Sequence, residues 1–436
     1  MAVCVPPQNR LSNLCKAHLF SLNIPPYFFQ QERVFDMCVQ NRDFLDEAVW
    51  NRLLSEFETL YGAGETPRLF FAPGRVNLIG EHIDYNGGYV LPAALNIGNY
   101  LLIRENGTDE VRMAADDLKG TLVSVRLSEM DSKRGKDWGA YQIGVLYELA
   151  KLGVELKGFD MLFYSTLPFG AGLSSSASLE VVTGYAAMVL CGVCPDLREL
   201  SLLTQRAENN FVGVNCGIMD QYACANGKAG CGILLDCVAV KSELVPLNMA
   251  GYAIVIGNTN KKRSLADSKY NERRAECESG LKTMRAILGD LPTLCAMDTE
   301  TFEKFAYLIP DETVRRRVRH AVTENDRVKK SVELLKAGDI KGFGKLLNAS
   351  HASLKNDYEV TGAELDAMSE FAQTVPGCIG SRMTGAGFGG CTVSIVEKER
   401  VPAFIEAVGA SYEAATGLKP AFYVSEAGDG VRELKQ

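Results

Sequence analysis

Pro168-Phe-Gly-Ala-Gly-Leu-Ser-Ser-Ser-Ala-Ser-Leu-Glu-Val181 sets three consecutive serines behind two glycines. Before it, Phe159-Asp-Met-Leu-Phe-Tyr-Ser-Thr-Leu167 reads as a strand. After it, Leu179, Val182, Ala186, Val189 and Leu190 recur at helical spacing. The stretch is a strand-to-helix junction, and a helix start presents unpaired N–H groups and the positive end of its dipole to an anion. Gly170 and Gly172 let the backbone come close to a phosphate. Ser174, Ser175 and Ser176 add hydroxyls, one of which can ligate Mg2+. A single serine makes an ordinary N-cap; three behind two glycines favour a phosphate site.

Working outward, 436 residues are long for a single core and predict two domains, with a third possible by length alone. A net charge of −8 excludes a general nucleic-acid binder, which needs basic stripes. The one basic run, Arg315-Arg-Arg-Val-Arg-His320, reads as a solvated helix face. Thirteen cysteines, an odd number without a framework, suit reduced thiols. Cys191-Gly-Val-Cys194 follows a helix and has no second pair to complete a metal site, so it reads as structural. With no 18-residue apolar run and no signal-peptide order at the N-terminus, the expectation is a cytoplasmic chain with no membrane partner.

The first 66 residues read as a lead-in. Pro6-Pro7, Pro25-Pro26 and Tyr27-Phe-Phe29 are irregular, and an amphipathic helix then runs from Phe44 to an end near Gly62. From Arg68 strands and helices alternate in mixed order, an α+β pattern rather than a doubly wound sheet.

Three further stretches carry chemistry. Pro73-Gly-Arg-Val-Asn-Leu-Ile-Gly-Glu-His-Ile-Asp-Tyr-Asn-Gly-Gly88 packs Arg75, Glu81, His82 and Asp84 among glycines, a set suited to a polyhydroxylated ligand, with Val76, Leu78 and Ile79 anchoring it to a core. Glu208 closes a helical run and Asp220 opens another after Gly217; each acid in such a setting is paired, functional or simply a helix-start carboxylate. Gly385-Ala-Gly-Phe-Gly-Gly390 leads into a strand, which removes a Rossmann reading and leaves a ligand-lining loop or a tight turn. No Walker A motif occurs: Gly338 to Lys345 has one residue too many.

Together these stretches resemble the galactokinases of the GHMP kinase superfamily. GRVNLIGEHIDY (74–85) is similar to the galactokinase signature, GLSSSAS (172–178) to the superfamily's ATP loop and GSRMTGAGFGGCTV (380–393) to its third motif. CGIMDQ (216–221) and Lys269-Tyr-Asn-Glu-Arg-Arg274 match galactokinases themselves. The resemblance implies a ribosomal-S5-like N-terminal domain and a ferredoxin-like C-terminal domain, placed here at 67–215 and 216–436 after a lead-in of 1–66. It implies a monomer that uses ATP and Mg2+ to phosphorylate galactose at its C1 hydroxyl. By the same resemblance Asp220 faces that hydroxyl beside Arg75, as a base or as half of an orienting pair. Glu81, His82, Asp84, Gly217 and Tyr270 hold the sugar; Gly170, Gly172, Ser174 and Ser175 wrap the triphosphate; Ser176 and Glu208 take the metal. Ile83, where galactokinases usually have Thr, is shared with N-acetylgalactosamine kinases and leaves that sugar as the alternative. Arg75 stands later than is usual in the family, so residues 1–36 are expected to be dispensable or a misassigned start, with Met37 as the alternative first residue.

Overall fold

The computed structural model describes residues 45–135, 137–168, 170–261 and 266–435; the extension expected to be dispensable, 1–36, lies outside them. Helix α1 (Glu47–Tyr61) begins where the Asp46 carboxylate accepts from the N–H groups of Ala48 and Val49, and stops at Gly62, whose φ is 82°. Leu53, Phe57 and Tyr61, one turn apart, are its buried face.

That face covers one side of a six-stranded sheet. Its strands are β1 (Arg68–Asn77), β3 (Pro92–Glu105), β4 (Glu110–Ala115), β5 (Val123–Arg126), β6 (Phe159–Ser165) and β13 (Arg432–Leu434), in the order β13-β1-β3-β6-β4-β5. Along β1, Leu69 and Phe71 face α1, whereas Phe70 and Ala72 face α2 (Trp138–Lys151), α3 (Ser175–Leu190) and α4 (Leu197–Ala207), the alternation a strand imposes. The last strand returns to this first sheet, with Leu434 opposite Leu69. The N-terminal end of α3 is tied to the sheet: Ser178 Oγ donates to the Ala72 carbonyl at 2.7 Å, and Asn99 Nδ2 to the Ser175 carbonyl at 3.2 Å.

Elements on both sides of residues 215 and 216 build this half. After α5 (Met219–Asn226), strand β7 (Cys231–Asp236) pairs with β2 (Tyr89–Val90) and with β8 (Lys241–Pro246) in a three-stranded sheet. The chain then enters a second layer at β9 (Tyr252–Asn258) and continues through α6 (Ala266–Leu288), α7 (Thr299–Phe305), α8 (Glu312–Lys336), α9 (Ile340–Ser353) and α10 (Gly362–Thr374). Strands β10 (Cys378–Thr384) and β11 (Cys391–Glu397), helix α11 (Val401–Thr416) and β12 (Ala421–Ser425) complete it. The order β10-β11-β9-β12 with interposed helices is ferredoxin-like. One face of this sheet packs Ala253, Val255 and Val396 against Met368 of α10 and Phe404 and Tyr412 of α11. The other contributes Ile254, Ile256, Val393 and Ile395 to a larger core that includes Val76, Leu78 and Ile79.

The basic run corrects an expectation. Arg317 is 1% exposed and His320 0%, so this part of α8 is core rather than a solvated face. Arg317 is buried because its charge is met: Nε donates to Glu276 Oε2 at 2.7 Å and Nη2 to Glu359 Oε2 at 2.6 Å. Among the described residues, no helix is long and apolar enough to cross a membrane.

Candidate active site

Strand β1 is irregular between Pro73 and Arg75. A Cβ on Gly74 would lie 2.7 Å from the Leu173 carbonyl oxygen, so only glycine lets the serine turn close on this strand. The Arg75 N–H donates to that carbonyl at 3.2 Å. Its guanidinium grips Asp220 in a fork, Nε to Oδ1 at 2.8 Å and Nη2 to Oδ2 at 2.9 Å, while Nη1 donates to the Gly172 carbonyl at 2.9 Å. Ser174 precedes α3 in the left-handed region at φ 60°, sparsely populated by residues with a side chain. Its hydroxyl donates to Asp220 Oδ2 at 2.6 Å. Gly170 and Gly172 have φ values of 68° and 77°, and Ser175 and Ser176 begin α3 itself. One acid, one arginine and one helix N-terminus thus share a frame assembled from three separate stretches.

Behind Asp220 lies a buried carboxylate pair. Glu208 opens a π turn, Glu208–Val212, at the end of α4. The Gln221 amide donates to Glu208 Oε2 at 2.6 Å and to Glu180 Oε2 at 3.1 Å. Burial lifts the Glu208 carboxyl to about 7, with the charge of Asp220 next, and the nearby Ser176 hydroxyl opposes the shift. Burial likewise lifts Glu180 well above the ordinary range, with Glu208 adding to it. A carboxylate held unfavourably beside a serine hydroxyl and a helix start fits a divalent cation. Among the described residues no three His, Cys, Asp or Glu side chains form a metal cage. Mg2+ keeps waters and substrate phosphates and takes only one or two carboxylates, so Ser176 and Glu208 suffice for it.

The signature loop supplies the other wall. Glu81 is buried and accepts three hydrogen bonds: Oε1 from the Gly385 N–H at 2.8 Å, and Oε2 from Arg382 Nη2 at 2.7 Å and Asn77 Nδ2 at 2.9 Å. His82, at φ 62°, places Nε2 3.2 Å from the Ala386 carbonyl and Nδ1 2.8 Å from the Tyr85 hydroxyl. Burial, with His320 second, lowers its pKa to about 3, so the ring is neutral. A carbonyl only accepts; Nε2 therefore carries the proton and Nδ1 accepts from Tyr85. Both side chains tie the loop to the glycine turn 385–390, which joins β10 to β11 and lies close enough to the serine turn that a Cβ on Gly385 would be 3.1 Å from the Gly172 oxygen.

Asp84 is half-buried and faces Gly217 so closely that a Cβ there would lie 1.8 Å from Oδ2. Burial, then the charge of Asp220, lifts its carboxyl to about 7. The Tyr270 ring packs 5.6 Å from His82 and 5.4 Å from Tyr85, centroid to centroid. Ile83 is fully buried, and a Cβ on Gly88 would lie 2.8 Å from its Cδ1, so this side chain packs into the core.

With this geometry in hand, three family signatures match the chain: the galactokinase galactose-binding signature at 55–105, the GHMP kinase N-terminal domain at 140–228 and the GHMP kinase C-terminal region at 331–414. A galactokinase of Halalkalibacterium halodurans is 51% identical over 370 residues, covering 84% of this chain and 93% of that protein. The chain belongs to the galactokinase family. Another member, from Bacillus subtilis, is 47% identical over 87% of this chain and 97% of its own. The solved galactokinase of Lactococcus lactis, complexed with galactose, superposes with a TM-score of 0.86 at 44% identity, over 88% of this chain and all of that one. A mevalonate kinase at 18% identity and TM-score 0.58 shares the GHMP fold.

Several residues of the galactokinase site escape a reading of the sequence. Glu180 carried a usable signal, since it lies four residues after Ser176 on α3 and interrupts an apolar run. Arg382, fully buried against Glu81, carried one as a lone charge in an otherwise strand-like segment. Gln221 carried none.

Proposed function

We infer that the chain transfers the γ-phosphoryl group of ATP to the C1 hydroxyl of α-D-galactose, giving galactose 1-phosphate and ADP. The observation that carries this reading is the setting of Asp220. Arg75 and Ser174 donate three hydrogen bonds to a carboxylate with about four lone-pair sites, and the side chain remains 31% exposed. The remaining site accepts the C1 hydroxyl and, as that oxygen attacks, its proton. Arg75 holds this acid and the Gly172 carbonyl together, so acceptor oxygen and phosphoryl donor are oriented by one side chain.

The N–H groups at the start of α3, Gly170, Gly172 and the Ser175 hydroxyl wrap the triphosphate. Ser176 and Glu208 would hold Mg2+, which would neutralise charge in a loose transition state. Asp84, Gly217 and Tyr270 hold the sugar, while Glu81 and His82 set the loop that carries Asp84. Paired to one hydroxyl, such buried acceptors are left unsatisfied by the epimer, so glucose is a poor substrate. All of these groups come from one chain, which suits a monomer, and the cytoplasm, where ATP is available, suits the reaction.

The experiment is ADP release across a small sugar panel, with Asp220→Asn beside the parent in single turnover. Transfer predicts galactose-dependent release and a fall of about 10²–10⁴-fold in the variant. Equal release with and without galactose refutes the function. A fall of less than tenfold refutes the base and leaves the orienting pair.

A further inference from the structure

Resting on the reading of residues 80–84 as the galactose loop, we propose that His320 and Glu324 of α8 are positioning residues for galactose. They act by holding the backbone of that loop from behind.

The two lie four residues apart, on one face of the helix, and both are fully buried. His320 Nε2 donates to the Glu81 carbonyl at 3.0 Å, its Nδ1 lying 2.9 Å from Ser353 Oγ. Glu324 Oε1 accepts the Gly80 N–H at 2.9 Å and the Ser350 hydroxyl at 2.6 Å; Oε2 accepts from Arg327 Nε at 2.7 Å. Two successive residues of the loop are therefore gripped by two successive turns of α8.

The gripped backbone is the part that does not hold itself. Gly80 has φ 102° and His82 φ 62°, a value that a residue with a side chain keeps only when its surroundings over-determine it. A Cβ on Gly80 would lie 2.8 Å from the Tyr89 carbonyl and 2.9 Å from Val328 Cγ2, again on α8. Asp84 follows two residues after His82, so a rotation of the 80–82 peptides displaces the carboxyl that faces Gly217. A buried ionic group is a poor way to gain stability, since apolar replacements often serve as well. Its use here is geometric. No hydrogen bond or ion pair described for either residue involves Asp220, Arg75 or the serine turn, so the effect belongs to the sugar and not to ATP.

The test pairs Glu324→Leu, which removes the acceptor, with Glu324→Gln, which keeps one. The expected result is a KM for galactose raised about tenfold or more in Glu324→Leu, the scale of one lost buried hydrogen bond, with kcat and KM for ATP within about threefold. Glu324→Gln restores the parent value within about threefold, and hydrogen exchange in a peptide spanning 78–88 quickens in the leucine variant only. His320→Phe, which keeps a ring against Tyr358 but cannot donate to Glu81, gives the same split if Glu324→Leu does not fold. A folded variant with an unchanged galactose KM overturns the inference, as does a parallel loss in kcat and both KM values. Two variants that both fail to fold also overturn it, because the pair is then core support alone. A parent that does not phosphorylate galactose instead overturns the functional reading, and this inference with it.

Discussion

Asp84→Asn separates what this carboxyl does for the ligand from what it does to the fold. Burial, with the Asp220 charge second, moves the group from its ordinary 3.8 to about 7. A carboxyl raised in the folded state contributes stability that is fully present below its unfolded pKa and is lost as pH rises through the folded value. The displacement corresponds to about 4 kcal/mol at about 1.4 kcal/mol per pH unit. Solvent at this half-buried group screens it to roughly 2 kcal/mol. The ligand-free chain thus loses that stability between pH 3.8 and about 7, whereas an amide never ionises. In urea titrations without ligand, Asp84→Asn is more stable than the parent by roughly 2 kcal/mol at about pH 8, and the gap closes near pH 4. Galactose phosphorylation by the same sample falls sharply. Adding Asp220→Asn removes the second cause and narrows the pH dependence. An equal gap at both pH values, or a parent more stable at pH 8, refutes the reasoning.

Two further outcomes follow from single side chains. Gly217→Ala places a methyl 1.8 Å from Asp84 Oδ2 and displaces the carboxyl. Overpacking of about 1–3 kcal/mol lowers kcat/KM for galactose by roughly tenfold or more while KM for ATP holds; a parent-like value refutes the contact. Gln142 on α2 is fully buried with neither amide atom hydrogen-bonded to another protein group. Since an unpaired buried amide costs about 1–3 kcal/mol, Gln142→Met raises the unfolding free energy by about 1 kcal/mol or more with kinetics unchanged, and a fall in stability refutes the unpaired state.

Much of the candidate site is legible in local pattern. The serine turn declares itself because a strand, two glycines and a helix start are neighbours in sequence, and both glycines do take positive φ. The helix before Gly62 and the strand after Gly390 are equally local. What local pattern does not show has one origin. The Ser174 hydroxyl meets its acceptor only through Asp220, 46 residues away. Arg317 looks solvated until Glu276 and Glu359, 41 and 42 residues away, meet its charge. His82 donates from Nε2 to a carbonyl 304 residues on.

By itself the sequence determined the local elements around its glycines, the serine turn between strand and helix and, through five ordered motifs, the family. Only the tertiary structure decided which acid meets which base, since Arg75 and Asp220 are 145 residues apart and Gly80 and Glu324 are 244 apart. Backbone preference and hydrophobic period act over a few residues, but hydrogen bonds and burial depend on whatever the completed fold brings alongside.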